Sequence, residues 1–559
     1  MIKNKKSKLF TVVLISVITG SLLSGCGNSS SSSSNSNPST PTGVQKITAN
    51  IDANPKTIDP GLNDSVEGMD VITNAFEGLT TLDANNKVIP GIASSWDVSK
   101  DGLNYVFHLR KDAKWSDGKP VTAHDFEYAW KRALNPATAS DYAYQLYYLK
   151  NGESYNTGGG ATANDVGVKA VDDYTLDVTL QNPTPYFLSL MAFDTYMPVR
   201  QDIVEAHPND WATNPATYVS DGPFKLKQWN TNDRLILVKN PYYWNAKNVK
   251  LQELDLTVLS DETSYMSAYQ SGQIDVIDQP PTEQIPSLVK EGKAKILPNL
   301  GVYYYSFNLD PKATTVPADV KAAIDNPKVR EAISLAINRT QIVNDVAKGG
   351  QKPATSFVPS GIIGPNGKDF KNKSYLPATA DVTEAKKLLS EAGYPNGKNF
   401  PSDVELIYNS SQQNQEIAEA VQAMLKQNLN INISVRAVER KVQLTETTSH
   451  TYTAMARNAW TADYADPMTF LDMWTSTSGN NVSGWSDPTY DALIAKAKAE
   501  TNLSKRYDEM HQAQDILMNS YSVIPIYEYT EVECKKDYVK GAFRTSLDVL
   551  YFRDAYVHK

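Results

Sequence analysis

The sequence predicts an α/β protein of about two to four domains, and three observations lead there. From about residue 45 to its end the chain has roughly 515 residues, more than one core usually organises. Helix and strand patterns alternate after about residue 320, as in an α/β domain. The stretch 83–217 is richer in strand and turn patterns and so forms a unit of another kind. A hydrophobic content of 41% with 21% charged residues suits globular cores of this sort.

Taken in chain order, the first element is a basic head of Lys3, Lys5, Lys6 and Lys8, followed by the uncharged apolar run Leu9 to Leu23. At about 15 residues that run falls short of the roughly 20 needed to span a bilayer, so 1–25 reads as a signal peptide. It ends in Leu23-Ser24-Gly25-Cys26, which resembles the lipobox of bacterial lipoproteins. The resemblance implies cleavage before Cys26 and lipid on its thiol, hence a protein tied to the outer face of the cell membrane. An ordinary signal peptide with a coincidental cysteine is the alternative. Residues 26–45 include the run Ser29 to Ser34 with Asn, Pro and Thr; they cannot bury apolar surface and are expected to form a flexible leash. The second cysteine, Cys534, then stands as a single thiol.

Tyr105, Phe107 and Leu109 alternate with polar neighbours, as do Leu176, Val178 and Leu180, and both runs predict half-buried strands. Thr122-Ala123-His124-Asp125 has the spacing of a capping box and opens a helix through Trp130 and Leu134. Asn326-Pro327 supplies a cap and a proline at the first helical position before Val329, Ile333 and Ile337. Helices are also predicted over Thr383 to Ala392, stopped by Gly393, and over Gln412 to Gln427. Ile431, Ile433 and Val435 follow at strand spacing.

The whole chain carries a net charge of −9, and the chain from Cys26 onward, without four lysines, carries −13. Nucleic acid is therefore not an expected partner, because phosphate binding needs clustered Lys and Arg. Tyrosine is abundant, with 31 residues, and its flat face and hydroxyl suit a surface that grips varied ligands. Catalytic signatures are missing: no Gly-x-Ser-x-Gly, His-Glu-x-x-His, Cys-x-x-Cys or phosphate loop occurs, and the six histidines are scattered. The chain reads as a non-enzyme with no metal and no cofactor.

Several runs carry a family likeness. Asn54 to Pro60 with Phe76-Glu77-Gly78-Leu79, Trp115 to Ala123 with Asp125-Phe126, and Asp221-Gly222-Pro223-Phe224 come first. Leu300-Gly301 with Tyr303 to Tyr305, Val329-Arg330-Glu331-Ala332, and Ala456 to Tyr464 follow in order. Together they resemble the family 5 extracellular solute-binding proteins, and within that family the oligopeptide-binding receptors of ABC importers. The resemblance implies a bilobed clamshell of the periplasmic-binding-protein type II class with an extra domain. Lobe I would comprise 46–82, 218–303 and 526–559; the extra domain 83–217; lobe III 304–525, with the hinge at the crossings near 303 and 525. It also implies a monomer that captures short peptides and delivers them to a membrane permease. The same fold could instead bind a dipeptide, a metal chelate or an oligosaccharide, or receive a peptide signal.

A receptor for many peptide sequences must bind backbone and termini, and adding the ligand as an extra strand does so. The family pattern places one such strand at about Asn63, Ser65 and Glu67 and the other at Ala459 to Thr461. It implies Asp463 as the partner of the peptide's α-ammonium group, although by spacing Asp463 could merely shape the turn before Asp466-Pro467. Trp460 is a candidate pocket wall or a core residue. Arg457 would meet a peptide carboxylate or form an internal salt bridge. Tyr144 and Tyr305, with Tyr142 and Tyr303, are further candidates for the cleft.

Overall fold

A computed structural model describes residues 43–559; the expected signal peptide, Cys26 and nearly all of the leash lie outside them. Gln45, at the end of the expected leash, already belongs to the body. Its carbonyl accepts the Gln252 and Glu253 N–H groups, and its side-chain amide donates to Val557 O at 3.0 Å.

The main sheet has eleven strands. In chain order they are β1 (Lys46–Asn50), β2 (Phe224–Asn230), β3 (Arg234–Lys239), β4 (Glu253–Thr257), β5 (Val276–Asp278) and β6 (Lys295–Phe307). Then come β7 (Lys352–Pro353), β8 (Glu405–Asn409), β9 (Ser434–Val438), β10 (Met455–Thr461) and β11 (Val523–Lys535). Their order across the sheet is β9-β8-β10-β6-β11-β5-β1-β4-β3-β2, with β7 added on β11. The 13-residue strands β6 and β11 pair antiparallel at its centre. Their ladder is irregular between Pro298 and Val302 and again between Tyr303 and Tyr304.

Buried apolar side chains form two large clusters, which take alternate side chains of β6: Val302 and Tyr304 in one, Tyr303, Tyr305 and Phe307 in the other. One contains Ile47, Ile72, Trp115, Trp130, Leu254 and Val557. The other contains Tyr305, Ile333, Leu389, Leu406, Ile417 and Ile526. A separate four-stranded antiparallel sheet runs in the order 93–98, 104–109, 175–179, 168–172.

Local sequence accounts for the helices that frame these sheets. Helix α1 (Val66–Ala75) starts where the Ser65 hydroxyl accepts the Gly68 N–H at 3.2 Å. Helix α2 (Ala123–Leu134) opens with the Asp125 carboxylate accepting the Thr122 N–H at 2.8 Å, as the capping-box spacing predicts. Helix α3 (Pro327–Leu335) is capped by Asn326, and α4 (Val382–Glu391) and α5 (Gln412–Leu429) lie where the apolar periodicity places them. The strand expected at Ile431 to Val435 instead begins at Ser434. Asn430, at φ 56°, turns the chain after α5; Ile431 and Ile433 are buried within that connection, and the ladder starts with Ser434 N–H to Val404 O.

One buried cation ties the centre of the sheet to the second cluster. Arg339 is fully buried and has no carboxylate partner among the described residues. Its Nε donates to Pro525 O at 2.7 Å, Nη1 to Ser334 O at 3.1 Å and Nη2 to Ser334 Oγ at 3.1 Å. Burial pushes the guanidinium down to about 9. Arg339→Ala leaves the Pro525 carbonyl without its donor and opens a cavity. It should lower the unfolding free energy by about 3 kcal/mol, as measured by urea denaturation.

Candidate functional site

Strand β10 pairs with β6 along its whole length, from Phe307↔Met455 to Gly301↔Thr461. On its other side, β8 pairs only with Met455 and Ala456. Beyond that point Gln443 Nε2 donates to Arg457 O, and Arg457 Nη1 donates to Asn409 Oδ1 at 3.0 Å, so polar side chains separate β8 from β10. No strand pairs with that side of Asn458, Ala459, Trp460 or Thr461 among the described residues. The last three are half-buried, not covered. An open strand edge of this kind offers backbone donors and acceptors to an extended chain.

Asp463 follows two residues after that edge. Gln145 Nε2 donates to its Oδ2 at 2.7 Å, and its own N–H donates to Thr469 Oγ1 at 3.3 Å. The side chain is half-buried, walled by protein but open to the cleft. Its loop is held rigidly. Tyr464 stacks on Tyr186 with centroids 4.2 Å apart and rings 3° from parallel, and its hydroxyl lies 2.9 Å from that of Tyr148. Asp466 accepts two bonds from Arg506, at 2.8 and 2.7 Å, both side chains being buried. The loop at 463–466 is thereby docked on the segment 145–186.

The surroundings of Asp463 are acidic. Burial, followed by repulsion from Asp472 and Asp194, lifts its carboxyl to about 8, against which the Gln145 bond acts weakly. Asp194 is lifted by burial to about 7, although Asn63 Nδ2 donates to its Oδ2 at 2.7 Å. Tyr142 and Tyr144 lie half-buried with rings 5.3 Å apart, their hydroxyls held far above the usual tyrosine range by burial and then by Asp463. Three carboxyl groups and two aromatic rings thus surround a place suited to a cation.

The other sequence-derived candidates divide. Asn63 is buried, bonded to Asp194 and to Ser65 O at 2.8 Å. Ser65 is a helix cap and Glu67 lies in the first turn of α1, so the extended strand expected over 63–67 is interrupted: Val66 and Glu67 are helical. Gly68 is required there, because a Cβ would meet Asn63 Oδ1 at 1.9 Å. Tyr305 and Tyr303 have no exposed surface and belong to the core, which corrects their assignment to the cleft. Arg457 lies over the Tyr303 ring at 4.5 Å and donates to Tyr529 Oη at 2.7 Å, and no carboxylate among the described residues forms a salt bridge with it. Trp460 Nε1 donates to Thr469 Oγ1 at 3.3 Å, leaving one face of the indole half-buried. Gln145, Asp194, Asp472 and the Tyr186–Tyr464 stack escaped the sequence reading, since nothing local marks residues that meet only after folding. Cys534 is buried and unpaired, its thiol lifted to about 12 by burial. Among the described residues no His, Cys, Asp and Glu cluster is placed to hold a metal ion, and no helix is long and apolar enough to cross a membrane.

A bilobed α/β body with an open strand edge and an acidic pocket facing one cleft is the architecture of a solute-binding protein. Residues 87–482 match the model for bacterial extracellular solute-binding proteins, family 5 Middle, and the chain belongs to that family. Oligopeptide-binding protein OppA of Bacillus subtilis (strain 168) is 38% identical over 561 residues, covering 98% of this chain and 99% of its own. The structure of Haemophilus influenzae OppA in complex with RPPGFSPFR is 32% identical and aligns with a TM-score of 0.80 over 93% of this chain and 100% of that one. At the same 32% identity, the unliganded open form of the murein tripeptide binding protein MppA aligns with a TM-score of 0.70 over 93% of this chain and 98% of that one. The fold is the type II clamshell.

The raised carboxyl of Asp463 has a consequence for stability. An unfolded aspartate loses its proton near pH 4, whereas the folded group holds it to about 8. Over that window the folded state binds the extra proton, so this group's contribution to stability falls as pH rises. Asp463→Asn should therefore raise the melting temperature at pH 8 by about 2 °C or more while changing it little at pH 4 to 5. Calorimetry at the two pH values checks this; an equal shift at both would contradict it.

Proposed function

We propose that this protein is an extracytoplasmic receptor that closes over short peptides and delivers them to the membrane permease of an ABC importer. The observation that carries the reading is the open edge of β10 at Asn458–Thr461 ending at Asp463. A peptide laid along that edge satisfies its N–H and C=O groups whatever its side chains, and its α-ammonium group reaches the acidic pocket. A cation there converts a carboxyl that resists ionisation into one side of a charge-assisted bond. Support comes from the match to OppA of Bacillus subtilis and from the likeness to a structure of an OppA with a bound nonapeptide.

Ala459 and Thr461 supply backbone, Trp460 a wall for an apolar side chain, and Tyr142 and Tyr144 the rim around the amine. Ser65 and Glu67 face the ligand from the start of α1. Arg457, already bonded to Asn409 and Tyr529, shapes the cleft next to that edge. The lobes follow the family plan, with 46–82, 218–303 and 526–559 in one, 83–217 packed on it, and 304–525 in the other. Bending at the irregular ladder of β6 and β11 opens the cleft. The protein acts as a monomer without enzymatic turnover. Lipid on Cys26 and the leash hold it at high effective concentration near its permease.

Mass spectrometry of the protein purified without denaturation should show a mixture of co-purifying short peptides; a single non-peptide molecule would overturn the reading. In calorimetry, acetylating the amino terminus of a bound peptide, or Asp463→Asn, should weaken binding by about 30-fold or more. Equal affinity of free and acetylated peptides would remove Asp463 from the amine site. Cys26→Ser should move the protein from the membrane fraction to the medium, as followed by immunoblot of fractionated cells.

A further inference from the structure

A cavity of about 480 Å³ lies beside the cleft, between the start of α1 and the ends of β8 and β10. Its size is within the range of small-ligand sites, about 300–1,000 Å³. Val66, Glu67 and Asp70 of α1 form one wall; Asn409, Arg457 and Tyr529 form another. It therefore continues from the strand edge proposed for the peptide backbone.

Its lining is unbalanced in charge. Seven carboxylates face it against two guanidiniums, and no lysine contributes. Arg544 is already engaged, bonded to Asp278 and Asp548. Arg457 is bonded to neutral Asn409 and Tyr529 and stacked on Tyr303. Arg440, outside the lining, donates to Gln443. Asp52, Glu67, Asp70 and Glu262 form no ion pair with any described residue.

Asp70 is the most telling of them. Its residue is only 6% exposed, and Oδ1 accepts the Leu550 N–H at 3.0 Å, whereas Oδ2 accepts no bond among the described residues. Asp278 Oδ1 is likewise buried without a partner. Asp52 is held at φ 55°, a left-handed conformation uncommon outside glycine, which sets its side chain on the cavity wall. Burial and the neighbouring carboxylates lift Asp52 to about 8, and burial lifts Asp70 to about 8. Of the four unpaired acids only Asp70 is buried, Asp52 and Glu67 being half-buried and Glu262 exposed. An acid buried like Asp70 without a counter-ion is costly unless a cation arrives to pair with it. The cavity is lined by Arg457 of β10, next in sequence to the open edge at Asn458–Thr461, so a cation carried by a peptide on that edge is within its reach.

We propose that this cavity receives a cationic side chain of the bound peptide, a lysine ammonium or an arginine guanidinium, so that the protein prefers peptides carrying a basic residue. This rests on the peptide reading above and names the ligand class it selects. The backbone edge of β10 is indifferent to sequence; the cavity beside it supplies the selectivity. One ammonium or guanidinium among the unpaired carboxylates forms charge-assisted bonds that an apolar side chain of equal length cannot.

The test is calorimetry of the purified protein with alanine-based pentapeptides in which each position in turn carries lysine or its uncharged counterpart norleucine. At one position lysine should bind about tenfold or more tightly than norleucine, and both Glu67→Gln and Asp70→Asn should shrink that advantage. Glu67 lies half-buried in the first helical turn, so its amide variant keeps the fold even if the deeper Asp70→Asn does not. Peptides that bind with no lysine advantage at any position would overturn this proposal and leave the peptide reading standing. A lysine advantage undiminished in folded variants would also overturn it, because the cation would then be held elsewhere. Failure of every peptide to bind would overturn the peptide reading, and the cavity's role with it.

Discussion

The pairing of β6 on both of its edges is the constraint on which the cleft depends. Its second half is locked to β11 on one side and to β10 on the other, and its side chains Tyr303, Tyr305 and Phe307 fill the second core. Strand β10 therefore has one edge fixed in register. Its outer edge is left open because Arg457 and Gln443 put polar side chains between it and β8 just past Ala456. Unpaired edges are normally blunted, since they recruit other chains. Here the residues of the open edge, Ala459 to Thr461, are half-buried, which limits what can reach them.

The second constraint is electrostatic. Asp472 and Asp194 repel the charge of Asp463, and Asp278 and Glu67 repel that of Asp52 in the neighbouring cavity. Both places raise the free energy of the unoccupied protein. On the proposed reading, both are relieved by the positive charge of a bound peptide, so that binding free energy is stored in the folded scaffold. The stack of Tyr464 on Tyr186 and the Arg506–Asp466 pair hold the acidic loop against those forces.

Much of this was legible in the sequence where the signal is local. Capping at Thr122 and Asn326, the alternation at 104–109 and the periodicity of 412–429 fix elements within a residue or two, because each depends on neighbours in the chain. The run from Ala456 to Tyr464 identified the family and pointed to the loop that carries Asp463. What escaped it depends on distant contacts. Gln145 meets Asp463 across 318 positions, and Asn63 meets Asp194 across 131. Tyr305 shares the alternation of a cleft strand, yet its face turns into the core. The helix starting at Val66 replaced an expected strand because Ser65 caps it, a short-range signal overlooked beside the family pattern.

Hydrogen exchange of the backbone amides at Asn458–Thr461, followed with and without a bound free-amine peptide, tests the central claim most directly. If the peptide adds to β10, the amides pointing away from β6 exchange quickly in the empty protein and become strongly protected on binding. Protection confined to the side chains' surroundings, with those amides exchanging unchanged at saturating peptide, would contradict strand addition at this edge.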